Sequence, residues 1–413
     1  MTEEIRKRRS WLDGFMAYAL PPGIGEAQLR EHIVLLDQWL YDCWNLGENL
    51  VFAWTPVPEG LRVLVGPHPL LTEFVQGGAG EGEPARRMRM LDELLTVAEH
   101  LPAGRLDAVA AELGLLPQLI ALPFAPEAGL GLELTAAIIA RYGIRRVEDR
   151  AVILFDAVGF SLLTPLQQVV QLNSLSCSVN AAYAKLLDRE IDINFARTTT
   201  GDGFYIWNRM RGIEANIELY QLLQFILADN ALARERALRP ESVPRLRACF
   251  HVGSHYEFYQ SEGLNPTSFS YLVGQVTIEL ARMIERALPG QILVGKFNTL
   301  MRDEASGGAE QPIDSVEFVE RTRQPLKALN GLTLAGAEID EIACYLTGRR
   351  EGPDVPPGED GGEFGISEFE IADKHGQRHR VYNAKINIHR RAGEPIYLGL
   401  REEDLPAFQA RLC

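Results

Sequence analysis

What this chain is short of narrows its possibilities before any motif is read. Its five cysteines, Cys43, Cys177, Cys249, Cys344 and Cys413, include no CxxC spacing. That pattern excludes a disulfide framework and a cysteine-built zinc site and points to a reducing compartment. No apolar run reaches the length needed to span a bilayer. The start, Arg6-Lys7-Arg8-Arg9 followed by Trp11 to Leu20, has the order of a secretory leader, but Asp13 interrupts the apolar stretch and the expectation is a cytoplasmic protein. Positive charge is scarce as well: 41 Lys and Arg face 56 Asp and Glu, a formal net charge of −15. Such a surface argues against a nucleic-acid or anionic-membrane partner, because both require basic charge to displace counterions. A bound nucleotide stays open, since metal ions can bring the positive charge with them.

What is present begins with length and apolar content. At 413 residues and 46% hydrophobic composition, the chain has material for two or three domains with real cores. Residues 1–148 read as an α+β or mostly helical regulatory or dimerisation domain. Helical periodicity runs from Gln28 to Trp44, two strands over Asn49 to Val65, a loop over Gln76 to Pro84, and helices over Arg86 to His100, Asp107 to Ala121 and Leu132 to Tyr142, the middle one broken between Gly114 and Pro117. No ligand for this part can be named from its residues.

The centre of the chain is more informative. Ala151 to Phe155 is an apolar run suited to a buried strand, and it delivers Asp156 at its end. Ala157, Val158 and Gly159 follow, small residues whose backbone can approach a ligand, before a helix opening at Thr164-Pro165, a favoured N-cap and N1 pair. Asn194 to Thr200, the turn Gly201-Asp202-Gly203, and Phe204 to Trp207 read as a hairpin that carries Asp202 at its tip. If the hairpin lies beside the first strand, Asp156 and Asp202 converge, and paired carboxylates are what hard Mg²⁺ or Mn²⁺ ions need.

Four segments in order carry a family resemblance: Phe155-Asp156-Ala157-Val158-Gly159-Phe160-Ser161; Gly201-Asp202-Gly203; Tyr271-Leu272-Val273-Gly274 running into Ile278 to Arg282; and Pro289 to Val294. Together, from about Asp149 to Lys296, they resemble the catalytic domain of the class III nucleotidyl cyclases, the adenylate and guanylate cyclase homology domain. The resemblance implies an α+β, ferredoxin-like fold: an antiparallel-rich sheet with helices on one face. It implies a homodimer that converts a nucleoside triphosphate to a 3′,5′-cyclic nucleotide and pyrophosphate. Two Mg²⁺ or Mn²⁺ ions per site would be held by Asp156, Asp202 and the Ala157 carbonyl. The N–H groups of Val158, Gly159, Phe160 and Ser161 would cradle phosphate, and Arg282 would neutralise transition-state charge.

Three positions depart from the family's pattern. Ile278 stands where the family has an asparagine that contacts ribose. Thr198 and Tyr271 stand where it has its base-selecting pair, and they match neither the adenine nor the guanine set. Either they line the pocket without reading the base or the base choice is altered, with a pyrimidine triphosphate among the options. A catalytically degenerate homologue that binds nucleotide or a protein partner is the alternative function. A GGDEF-like enzyme is less favoured, because Gly361-Gly362-Glu363-Phe364 lacks one acid.

The remaining expectations are structural. Thr164 to Leu187 and Arg211 to Ala228 are helices, Leu246 to Val252 a central strand, Ser254 to Ser268 a polar connection, and Gly274 to Arg286 a third helix. Residues 149–300 form the cyclase-like domain and 301–350 its extension, with Arg302 to Gln311 a loop. Residues 351–365 are an acidic linker, and 366–413 a β-meander appended to the rest. His251 and His255, on a strand and its exit, read as structural, and His375, His379 and His389 as an exposed sheet face.

Overall fold

The structure, a computed structural model, describes residues 12, 15–16, 18–78, 80, 82–96, 100–262, 265–303, 306–327, 330–347, 366–373 and 376–412. The basic start at Arg6, the acidic linker 351–365, Lys374 and His375 lie outside them. The chain divides into two compact units, one of residues 1–147 with 255–273, the other of residues 148–254 with 274–413. Among the described residues no helix is long and apolar enough to cross a membrane.

The first unit opens with α1 (Glu26–Trp44), which buries Leu29, Ile33, Leu36 and Leu40 at helical spacing. Then come β1 (Asn49–Val57), β2 (Gly60–Pro67), α2 (Leu70–Gln76), α3 (Glu83–Thr96) and α4 (Ala103–Leu113). β3 (Gln118–Ala121), α5 (Pro126–Gly129) and α6 (Leu132–Ile139) complete this stretch. The helix expected over Asp107 to Ala121 breaks at its Gly114 to Pro117 segment as expected, ending at Leu113 with Gly114 as a left-handed C-cap, but it does not resume: Gln118 to Ala121 instead pairs with β2 as the third strand of a small sheet.

The rest of the chain is built on one large sheet, of which residues 255–273 belong to the first unit. Its strands and helices run β4 (Ile144–Ala157), α7 (Pro165–Leu187), β5 (Phe195–Thr199), β6 (Gly203–Asn208), α8 (Ile213–Arg236), β7 (Leu246–Glu262), β8 (Asn265–Val273) and α9 (Gln275–Arg286). β9 (Ile292–Gly295), β10 (Asn298–Asp303), β11 (Ala309–Asp314), α10 (Ser315–Lys327), β12 (Thr333–Leu334) and β13 (Ala337–Thr347) follow. β14 (Glu368–Ala372), β15 (Arg378–Arg390), β16 (Ile396–Leu398) and α11 (Leu405–Leu412) end the chain. The strand order is β12-β13-β15-β9-β7-β4-β6-β5, with β14 and β16 on β15 and β8 on β7. β7 and β9 are parallel, while β5–β6, β4–β6, β9–β15 and β13–β15 are antiparallel.

Alternation along the strands assigns the two faces. Ala151, Ile153 and Phe155 of β4, Ala248, Phe250 and Val252 of β7, and Ile292 and Val294 of β9 join the main core with Leu175, Val179 and Ala182 of α7 and a large set from α8. The residues between them face the other way. There His251 of β7 meets Glu279 of α9, and a Cβ on Gly253 would rest 3.4 Å from Val276. Helices therefore cover both faces, and the expectation of helices on one face alone is corrected: α9 packs on the side opposite α7 and α8.

Three further expectations change. The C-terminal strands are not an appendage, because β15 lies between β13 and β9 and buries Tyr382, Ala384, Ile386 and Ile388 in the main core. A meander's apolar alternation shows that strands exist but does not name their neighbours, which is why the sequence left them separate. The loop expected over Arg302 to Gln311 is shorter: Arg302 and Asp303 end β10, Ala309 to Gln311 begin β11, and the two strands pair as a hairpin. The polar stretch after Val252 continues β7 to Glu262 and pairs with β8, and residues 255–273 group with the first unit.

Candidate functional site

The turn between β5 and β6 and the end of β4 are brought together by register. β6 pairs with β4 so that Gly203 lies opposite Asp156, and the Ala157 N–H donates to the Asp202 carbonyl at 3.0 Å. Only glycine fits at 203: a Cβ there would stand 1.8 Å from the Phe155 carbonyl oxygen. This close approach sets Asp202, the neighbour of Gly203, beside the end of β4 that carries Asp156. Burial raises the Asp156 carboxyl above its ordinary pKa and the Asp202 charge adds to that, while the Arg247 guanidinium opposes both.

Arg247, at the start of β7, is the residue the motif reading missed. Its Nε and Nη2 both donate to Asp156 Oδ2, at 2.8 and 2.5 Å, and Nη1 reaches the Ala287 carbonyl at 3.4 Å. A signal was available. In Leu246 to Val252 the alternation places Arg247, Cys249 and His251 on one face of an otherwise apolar strand, and an arginine set into a sheet requires a carboxylate.

The loop after Asp156 is well defined. Thr164 caps α7 in a capping box with Gln167, as the Thr164-Pro165 pair suggests. The phosphate cradle is smaller than expected, because the Val158 N–H already donates to the Arg245 carbonyl at 2.8 Å. Gly159, Phe160 and Ser161 remain as its candidate donors, at the entry to a short 3-10 turn.

Thr198 stands exposed on the edge strand β5, opposite Tyr205, which is itself opposite Leu154; paired residues share a face, so Thr198 lies on the Asp156 side of the sheet. Arg197 points the other way, with its Nη1 3.3 Å from Ser176 Oγ on α7. Tyr205 donates to the Thr277 carbonyl at 3.3 Å and so fixes the first turn of α9 on the same face as the acids. Tyr271 is on β8 in the first unit, where its ring stacks on Phe258 at 5.7 Å.

Ile278 is 47% exposed on α9. Arg282, one turn on, is held by carboxylates of its own chain: Nη1 donates to Glu285 at 3.2 Å, and Nε lies 3.7 Å from Asp373, which is 3% exposed. Asp373 also faces His379 Nε2 at 3.9 Å, His379 Nδ1 lies 3.8 Å from Glu279, and Glu279 contacts His251 Nε2. Burial works to raise the Glu279 carboxyl, but the His251 contact outweighs it, helped by Gln275 and His379, and the net pKa is lowered. His379 is thus buried, not part of an exposed sheet face.

The carboxylate donors at this end of the sheet suit a hard cation. Asp156 Oδ1 and Asp202 Oδ2 are not engaged by Arg247 or Thr200, and a dication would offset both the burial that chiefly raises the Asp156 pKa and the Asp202 charge that adds to it. Among the described residues no cluster of three or more His, Cys, Asp or Glu is arranged to hold a metal ion, so main-chain and ligand oxygens would have to complete the shell.

No protein-family model matches the chain, and no curated protein does. Among solved structures, the catalytic core of a rhodopsin-guanylyl cyclase matches at 11% identity over 60% of this chain and 98% of its own, with a TM-score of 0.33. The guanylate cyclase domain from Catenaria anguillulae in complex with GTP matches at 13% over 41% and 95%, TM-score 0.30. The adenylyl cyclase CyaB from P. aeruginosa matches at 12% over 41% and 93%, TM-score 0.29. With all three scores below 0.5, this likeness assigns no family.

Proposed function

We propose that the α9 side of the large sheet is the nucleotide site of a divergent class III nucleotidyl cyclase. The observation that supports this best is the Asp156–Asp202 pair, brought to one end of the sheet by the Gly203 register at the mouth of a glycine-containing strand-to-helix loop. In this reading Asp156, Asp202 and the Ala157 carbonyl would hold Mg²⁺ or Mn²⁺, two ions per site, which when bound supply charge stabilisation at the α-phosphate and its leaving oxygen. The ribose 3′ oxygen forms a bond to the α-phosphorus and gives its proton to water. The bond from α-phosphorus to the bridging oxygen breaks, and pyrophosphate leaves with that electron pair. Gly159, Phe160 and Ser161 orient the phosphates through their N–H groups. Arg247 steadies Asp156, and Thr198 lines the base side. Arg282 and Tyr271 would act across a homodimer, as the family resemblance implies.

Ile278 supplies no polar contact to ribose, and the loss of one such contact lowers rate by roughly 10²–10³-fold. A slow enzyme is therefore expected. The second reading, a protein that binds nucleotide without cyclising it, is favoured by one observation: Arg282 is already tied to Glu285 and Asp373. The test is to incubate the full chain with each of the four nucleoside triphosphates and Mn²⁺ and to identify products by mass spectrometry. A cyclic nucleotide with equimolar pyrophosphate supports the enzyme; bound but unchanged triphosphate supports the second reading.

A further inference from the structure

Arg247 has a neighbour that the motifs do not include. Arg245 stands two residues earlier, just before β7 begins at Leu246. Their guanidiniums reach carbonyls two residues apart in the loop after α9: Arg247 donates to Ala287 and Arg245, through Nη2, to Pro289 at 3.0 Å. They differ in what else they meet. Arg247 is committed to Asp156, whereas Arg245 is exposed, and among the described residues no carboxylate pairs with it. The Arg245 main chain is also fixed to the candidate phosphate loop, since its carbonyl accepts the Val158 N–H at 2.8 Å.

An exposed guanidinium without a counter-ion thus sits on backbone hydrogen-bonded to the loop that follows Asp156. We propose that Arg245 is the outer polyphosphate contact of this site, binding the terminal phosphates of the nucleoside triphosphate and then the departing pyrophosphate. The inference rests on the nucleotide reading above and adds a residue to it. Arg245 needs no rearrangement of the fold to act: its side chain exchanges a neutral carbonyl for a charged phosphate oxygen, and charge-assisted bonds of that kind are roughly twice as strong. Guanidinium geometry also suits two phosphate oxygens at once, which a lysine does not reproduce. In a chain of net charge −15, a cation placed there has a further effect, because it offsets the repulsion an incoming polyanion meets at two carboxylates.

The experiment compares wild type, Arg245→Gln and Arg245→Lys as full chains. Binding of inorganic tripolyphosphate in the presence of Mg²⁺ is measured by calorimetry, and KM and kcat are measured with whichever triphosphate is turned over. We expect Arg245→Gln to weaken tripolyphosphate binding and raise KM by about tenfold, the scale of one lost bond between charged groups, with kcat within about threefold and Tm unchanged. Arg245→Lys should fall between the two. Tripolyphosphate binding as tight in Arg245→Gln as in wild type overturns the proposal, and so does its absence in wild type. Binding that depends on Arg245 in a protein that makes no cyclic product would uphold Arg245 and refute the cyclase reading. Turnover with normal KM in Arg245→Gln would do the reverse.

Discussion

Arg247 grips Asp156 through a single carboxylate oxygen, with Nε and Nη2 both on Oδ2, and so leaves Oδ1 on the side that can serve Asp202 or a cation. The arrangement gives the acid pair a partial counter-charge while keeping it able to bind more positive charge. Removing either partner of such a half-buried pair should cost about 3 kcal/mol, because the survivor is left without its counter-ion. Arg247→Gln should therefore lower Tm and abolish product. A variant with wild-type melting would show that the pair contributes little.

Asp156→Asn and Asp202→Asn test the metals directly. In the cyclase reading each loses all detectable turnover, since an amide lacks the charge that retains a hard cation. Wild type should also gain thermal stability on adding Mn²⁺, by an amount that grows with metal concentration, and neither variant should. Thermal shift with and without metal reads this even where activity is zero.

The raised Asp156 pKa has a sign that can be checked. A proton competes with the cation for this carboxyl, so metal affinity should increase as pH rises through the raised pKa and level off above it. Because the Asp202 charge is one of the causes that raise it, Asp202→Asn should move the Asp156 titration to lower pH. Carboxyl ¹³C NMR on labelled protein would show that displacement or its absence.

Glu279 shifts in the opposite direction, so its contribution to stability is present above the ordinary carboxylate pKa and is lost as pH falls through the lowered value. Wild-type Tm should drop on the acid side over that window, and Glu279→Gln should flatten the drop while reducing stability at neutral pH. Parallel profiles for the two proteins would refute a net favourable Glu279–His251 contact.

Ile278→Asn separates a slow enzyme from a silent one. If the exposed Ile278 borders the ribose, turnover should rise by about 10-fold or more, with stability changed by less than about 1 kcal/mol, as for a surface substitution. If a partner chain covers that surface in a closed interface, the amide is left unsatisfied at roughly 1–3 kcal/mol, with no product gained. Rate and Tm measured on the same preparation decide between them.

The sequence made the local elements of this site readable because their causes are local. Thr164 and Pro165 announce a helix start wherever they stand, and Gly201-Asp202-Gly203 announces a turn. The partnership of Arg247 with Asp156 was not legible in this way, as the two residues are far apart in the chain and become neighbours only through sheet order. The same holds for His379: nothing in a hairpin's composition says that its strand will be inserted beside β9 and that the imidazole will be enclosed against Glu279. Arg282 shows the converse. The resemblance gave it a role across two chains, whereas the carboxylates of Glu285 and Asp373 within its own chain are what the structure shows around it.

β7 begins in the large sheet and ends in the first unit, and the first unit is closed only by residues 255–273. During synthesis, then, the N-terminal unit cannot be completed when residue 147 leaves the ribosome. It waits for a hairpin that is translated after β4, α7 and α8, several seconds later at elongation rates of about 5–20 residues per second. A chain interrupted before Val273 would strand an unfinished N-terminal unit as well as an unfinished sheet, so quality control would meet the two units as a single folding problem.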